Sequence, residues 1–212
     1  MLEKARYIVV EGPIGAGKTS LARKLAERLG ARTLMEQPEL NPFLGRFYAD
    51  MDRWAMATQL AFLFQRSELL KPLPQQLQAG ERVVSDFVLD KELLFADLNL
   101  GEDEAALYRQ VLMQLQPAAP RPDLVVYLQA QPDTLIERVR KRGMDAEKRI
   151  TEDYLERVAR RYAEFFHQYD AAPLFIVNAE ELNPVERDED FDLLWKRLMQ
   201  MRSYREFFGY AQ

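Results

Sequence analysis

The stretch Gly12-Pro13-Ile14-Gly15-Ala16-Gly17-Lys18-Thr19 constrains this chain more than any other feature. It matches GxxxxGK[ST] in full and stands between an apolar run, Tyr7 to Val10, and a helical pattern, Lys18 to Leu29. Strand, loop and helix in that order are the setting in which the pattern cradles phosphates. Its glycines let backbone amides turn inward, and the N-terminus of the next helix adds a positive dipole. In such a cradle Lys18 reaches the terminal phosphates of a nucleotide, and the Thr19 hydroxyl helps to hold Mg²⁺.

A cradle of this kind is built on a covered parallel sheet, and the rest of the chain supplies the parts. Arg82 to Ser85, Leu124 to Leu128 and Leu174 to Val177 are short apolar runs of the kind that form buried parallel strands, with a weaker one at Thr33 to Met35. Helical patterns fill the intervals: Trp54 to Leu70, Lys91 to Asn99, Glu102 to Leu115, Thr134 to Lys141, Thr151 to His167 and Phe191 to Met201. This alternation predicts an α/β fold with right-handed crossovers, in which ligands gather at the carboxyl ends of the strands. Lys71 to Gly80 reads as a connector, and Asn183 to Asp190 as a solvated acidic loop. Residues 1–212 read as one domain.

Composition removes several classes of function. A net charge of -5 argues against a protein that coats nucleic acid. The absence of cysteine excludes disulfides and thiolate zinc sites, and the single histidine, His167, excludes multi-histidine metal centres. His167 itself reads as an ordinary helix-end residue. No apolar stretch approaches the roughly 20 residues that span a bilayer, and the N-terminal segment lacks a signal peptide's apolar run. A cytoplasmic enzyme acting on small molecules, with no nucleic-acid or membrane partner, is expected. No NKxD-type segment specifies GTP.

Glu36 follows the weak second strand, at the sheet edge where the phosphates belong. A carboxylate there can accept the proton of an attacking hydroxyl, although a lone glutamate before a proline could equally be solvated. Its surroundings are more specific. Glu36-Gln37-Pro38, then Asn41-Pro42-Phe43, Phe47-Tyr48, Arg53-Trp54-Ala55-Met56 and Gln59 resemble the deoxyribonucleoside kinase family, which includes the deoxyguanosine, deoxycytidine and deoxyadenosine kinases. The resemblance runs from Arg6 to Phe166. It implies a P-loop kinase with five parallel strands in the order 2-3-1-4-5, helices on both faces and an arginine-bearing lid. It also implies ATP with Mg²⁺, a deoxynucleoside acceptor, and a homodimer joined near Trp54 to Leu70 and Glu102 to Leu115.

By the same resemblance Glu36 is the general base for the 5′-hydroxyl, Tyr48 bonds the 3′-hydroxyl, and Gln59 pairs with the base edge, assisted by Arg66. Glutamine suits that task because it offers a donor and an acceptor together. Phe43, Phe47, Trp54, Phe62 and Phe95 could wall the pocket. The basic run from Arg138 to Arg142 resembles the lid, in which Arg138 and Arg142 close on the transferring phosphoryl group and Glu147 reaches the 3′-hydroxyl. Read without the family, such a run could be a solvated helix face.

The pattern breaks after the third strand. Family members carry an acidic residue, an arginine and a serine there, whereas this chain has Ser85-Asp86-Phe87-Val88. Asp86 is expected to hold Mg²⁺ through water or to steady the 5′-hydroxyl, and Arg140 is a candidate for the missing cation. Asp90, close to the position of the family's base-side aspartate, is expected to pair with Arg66, an arrangement that favours purines or cytosine over thymine. Two rival readings remain: a thymidylate-type monophosphate kinase, and a regulatory module that uses the P-loop as a switch.

Overall fold

The computed structural model describes residues 1–115, 117, 119–180 and 182–209. Its elements are β1 (Tyr7–Glu11), α1 (Lys18–Leu29), β2 (Arg32–Leu34), α2 (Leu44–Phe47), α3 (Met51–Leu70), α4 (Leu73–Gln78), β3 (Val83–Ser85), α5 (Lys91–Asn99), α6 (Glu102–Leu115), β4 (Leu124–Gln129), α7 (Pro132–Arg142), α8 (Glu152–Gln168), β5 (Leu174–Asn178), α9 (Asp188–Gln200) and β6 (Arg205–Phe208). The strands form one parallel sheet in the order β2-β3-β1-β4-β5-β6.

Side chains of successive strand residues go to opposite faces, and this divides the core in two. Ile8 and Val10 of β1, with Leu124, Val126 and Leu128 of β4, pack against Leu21 and Leu25 of α1 and Leu194 and Leu198 of α9. Tyr7, Val9, Val125 and Tyr127 face the other way, onto Ala55 and Leu70 of α3 and Val158, Tyr162 and Phe166 of α8. α3 also packs on α5 and α6, so that this second layer is thick enough to enclose a cavity. Among the described residues no helix is long and apolar enough to cross a membrane.

Two expectations are corrected. The sheet has six strands, not five, because β6 adds outside β5 with Leu174 opposite Arg205 and Val177 opposite Phe208. Arg-Glu-Phe-Phe is a short strand led by two charges, so it presents no apolar run. It is held by its pairing with β5, by Phe208 against Phe175, and by polar contacts: the Arg205 guanidinium donates to the carbonyls of Phe166 at 2.9 Å and Tyr169 at 2.5 Å. The connector at Lys71 to Gly80 contains α4. Pro72 and Pro74 lie at its cap and first turn, where no backbone N–H is needed for the helix, and Leu73 anchors it in the core.

Candidate active site

The cradle closes at the carboxyl end of β1. Gly15 has a φ of +88°, and a Cβ there would sit 2.7 Å from the Leu135 carbonyl oxygen of α7, so both conformation and space require glycine. Gly15→Ala should therefore cost about 2 kcal/mol or more, from left-handed strain of about 1–2 kcal/mol plus the clash. Thermal denaturation with and without ATP checks this: a lower melting temperature and a smaller ATP-induced rise are expected. The Lys18 ammonium donates to the Pro13 carbonyl at 3.1 Å, and burial pushes its pKa down.

Asp86 joins this cradle to the segment after β2. Its Oδ2 accepts the Thr19 hydroxyl at 2.5 Å and its Oδ1 accepts the Glu36 amide at 2.8 Å. Burial raises the Asp86 carboxyl, opposed by those two hydrogen bonds. Glu36 thus sits one short residue from the hydroxyl that belongs to the phosphate cradle. Thr19 and Asp86 also make a pair of hard oxygen donors of the kind Mg²⁺ takes.

Beside the cradle lies a cavity of about 110 Å³. Glu36, Arg66 and Lys91 form its charged floor, Phe47, Phe62 and Phe95 its apolar walls, and Arg142 and Glu147 its rim. Tyr48 and Gln59, both buried, line it as well. Thr151 caps α8 by accepting the Tyr154 amide at 3.2 Å, which helps to set Tyr154 and Tyr162 of that helix against the cavity.

The floor is an ion network almost free of solvent. Arg66 Nε meets Glu36 Oε1 at 2.5 Å, and its Nη1 meets Glu92 Oε1 at 2.5 Å. The Tyr108 hydroxyl donates to the second oxygen of Glu92. Lys91 Nζ lies 3.3 Å from Glu11 Oε2 and 3.6 Å from Glu36 Oε2. Burial alone would raise the Glu36 carboxyl, but Arg66 and Lys91 outweigh it and hold it at about 2. At the rim Arg142 pairs with Glu147 at 2.5 Å.

The remaining expectations meet different fates. Asp90 does not pair with Arg66: it faces Tyr169 and Arg121, and Glu92 takes the place expected of it. The reason is helical phase, since Asp90 is the cap of α5, and it is Lys91 and Glu92 that begin the helix and are buried. Arg140 supplies no cation here, because it points outward to an exposed pair with Glu152. Arg138 lies off the cavity and donates to the Ala179 carbonyl at 2.8 Å, beside the loop that follows β5. Within that loop, Asn178 to Asp190, Glu181 lies outside the described residues. Phe43 and Trp54 stack on each other outside the cavity.

Sequence reasoning missed Glu11, Lys91, Glu92 and Tyr108. The one available signal was a glutamate ending an otherwise apolar buried strand immediately before the cradle, a costly place for an unpaired charge.

A family model described as deoxynucleoside kinase matches residues 8–201. A deoxyguanosine kinase of Bacillus subtilis is 33% identical over 162 residues, which cover 76% of this chain and 78% of that protein. A deoxyadenosine kinase of Lactobacillus acidophilus is 32% identical over 192 residues, 84% of this chain and 87% of that protein. A solved deoxyadenosine kinase from M. mycoides with bound dCTP superposes with a TM-score of 0.78 at 27% identity, over 92% of this chain and 100% of that one.

Proposed function

The chain belongs to the deoxynucleoside kinase family, and from that premise we propose that it transfers the γ-phosphoryl group of ATP to the 5′-hydroxyl of a deoxynucleoside, purine deoxynucleosides being preferred. One observation carries the reading: Glu36 opens onto the cavity and is tied through Asp86 to Thr19 of the phosphate cradle. Donor tail and acceptor hydroxyl can then meet over one carboxylate. Residues 1–212 work as one catalytic unit.

The roles follow from position. Gly12 to Thr19 wrap the phosphates of ATP with backbone amides and the Lys18 ammonium. Thr19 and Asp86 would hold Mg²⁺, which when bound neutralises charge on the phosphates. Glu36 accepts the proton of the 5′-hydroxyl. Tyr48 and Glu147, both buried side chains that line the cavity, bind the sugar 3′-hydroxyl. Gln59 and Arg66 read the base, and Glu92 fixes the arginine so that its donors stay aimed. Arg142 releases Glu147 to meet the transferring group, and Arg138 of α7, bonded to the Ala179 carbonyl, approaches the donor beside the loop after β5. Phosphoryl transfer asks mainly for such positioning and charge neutralisation.

A fixed arginine beside a glutamine presents donors and an acceptor to one base edge, which supports purines or cytosine over thymine. Competition among the four deoxynucleosides in one reaction, resolved by chromatography of the monophosphates, tests this. Deoxyadenosine or deoxyguanosine monophosphate is expected to dominate, and a thymidine product would refute the preference.

A monophosphate kinase would need spare cations for the acceptor's own phosphate. Arg66 and Lys91 each already face a buried carboxylate, and Arg142 is committed to the transferring group, which disfavours that rival. The same carboxylates argue against a non-catalytic switch, since a module that only senses ATP has no use for a charged acceptor cavity. We place the enzyme in the cytoplasm, without nucleic-acid partners, as a homodimer through α3 and α6. Phe64, Leu107 and Met113 expose apolar surface there.

Because Glu36 is held at about 2, it is ionised throughout the neutral range. Its pairing stabilises the fold above the ordinary carboxylate range and is lost as pH falls toward that value. kcat/KM for the deoxynucleoside, which reports the free enzyme, should therefore show no acid limb from this group between about pH 5 and 8. A limb there that disappears in Glu36→Gln would contradict the assignment.

A further inference from the structure

We infer that Lys91 is a positioning residue for Glu36, and that with Glu11 it replaces the arginine missing after β3. The inference rests on the kinase reading above and deepens it. Lys91 opens α5 just beyond β3 and is 2% exposed, so its ammonium has given up nearly all its water. Two carboxylates flank it, Glu11 at 3.3 Å and Glu36 at 3.6 Å.

The two partners are not equivalent. Glu11 is fully buried and anchored without the lysine: Oε1 accepts the Gly12 amide at 3.0 Å and the Tyr162 hydroxyl at 3.2 Å, and Oε2 accepts the Val88 amide at 3.0 Å. Glu36 has Arg66 on Oε1 and Lys91 on Oε2. Removing Lys91 would leave the Glu36 carboxylate free to swing about its contact with Arg66.

The chain of contacts therefore runs Gly12–Glu11–Lys91–Glu36. It links the first amide of the phosphate cradle to the group that takes the acceptor's proton. A fixed separation between those two is what in-line transfer requires, because small misplacements of reacting groups are costly in rate. A purely structural lysine is a poor explanation of the site. Burying an ion pair contributes little net stability compared with apolar residues of the same volume. The expense makes sense where the charge orients a reacting group.

Lys91→Gln and Lys91→Arg test this in the full-length protein, with kcat, KM for ATP, KM for a deoxynucleoside and the ATP-induced rise in melting temperature measured for each. In Lys91→Gln, kcat should fall about 10²-fold, the order seen when one preorganised charge contact is removed. KM for ATP and the ATP-induced thermal shift should stay within about threefold of the parent protein, since no cradle contact is lost. Lys91→Arg should recover kcat to within about tenfold of the parent, because it restores a cation between the carboxylates.

Two results would overturn the positioning role. One is Lys91→Gln turning over as fast as the parent. The other is kcat, ATP affinity and melting temperature falling together without recovery in Lys91→Arg, which means Lys91 only holds the fold. If Lys91→Gln does not fold, Lys91→Arg decides alone: the longer, planar side chain should shift the Glu36 carboxylate and lower kcat by a few-fold up to about tenfold with KM for ATP unchanged, whereas a kcat equal to the parent's, or one that falls together with ATP affinity, refutes the positioning role. A parent protein that phosphorylates no deoxynucleoside would instead sink the kinase reading itself, and this proposal with it.

Discussion

Glu36→Gln should lower turnover of the deoxynucleoside by about 10²–10⁴-fold, the range general-base catalysis supplies, while ATP binding changes little. The amide keeps the shape of the side chain but cannot take a proton. The contact most needed by the cradle, from the Glu36 backbone amide to Asp86, does not involve the side chain and survives. Arg66 retains Glu92 and Lys91 retains Glu11, so neither cation is stranded. An assay coupled to ADP release gives turnover, and the ATP-dependent rise in melting temperature gives binding. A variant that keeps more than about a tenth of parental turnover would remove Glu36 from the chemistry.

Arg66→Met carries the largest expected effect on stability. The guanidinium is held between Glu36 and Glu92, and its side chain is only 4% exposed. Taking it away leaves two carboxylates facing each other with little water. Breaking one partner of such a buried pair costs about 3–5 kcal/mol. At about 2–4 °C per kcal/mol for a chain of this size, the melting temperature should drop by about 6–20 °C. The double variant Arg66→Met/Glu92→Leu removes the stranded charge along with its partner, so it should regain much of that loss while still binding the deoxynucleoside poorly. Calorimetry of the two variants checks the first part, and KM for the acceptor checks the second. A single variant that melts with the parent would mean that the network is better hydrated than its burial indicates.

The parts of the fold that could be read from the chain are those where local chemistry and tertiary context agree. α1, α5 and α6 begin and end where their periodic patterns do, and β1, β4 and β5 coincide closely with the apolar runs. β6 and α4 escaped because their signals are carried by neighbours. An Arg-Glu-Phe-Phe stretch becomes a strand only when β5 offers an edge, and a proline-bearing segment becomes a helix only because Leu73 finds the core.

The site divides along the same line. Glu36, Tyr48, Gln59, Arg66, Arg142 and Glu147, chosen by resemblance, gather around one cavity. Asp90 does not, because it stands just ahead of α5, and it is Lys91 and Glu92, in the first turn of the helix, that face the cavity's charges. Lys91 and Glu11 went unread for a different reason. A lysine at a helix start and a glutamate at a strand end are ordinarily solvated, and only packing from α3 and α8 takes their water away.

The strand at the far edge of the sheet has a bearing on how the molecule tolerates trimming. A chain cut ahead of Arg205 would leave the backbone of Leu174 to Val177 with bare amide and carbonyl groups along one side. Exposed rows of that sort recruit strands from other copies. The same cut would unfasten the last turn of α8, whose Phe166 and Tyr169 carbonyls Arg205 grips. That helix also bears Tyr154 and Tyr162 at the cavity wall. Four residues at the edge of the sheet thus guard the molecule against clumping and brace one side of its cavity.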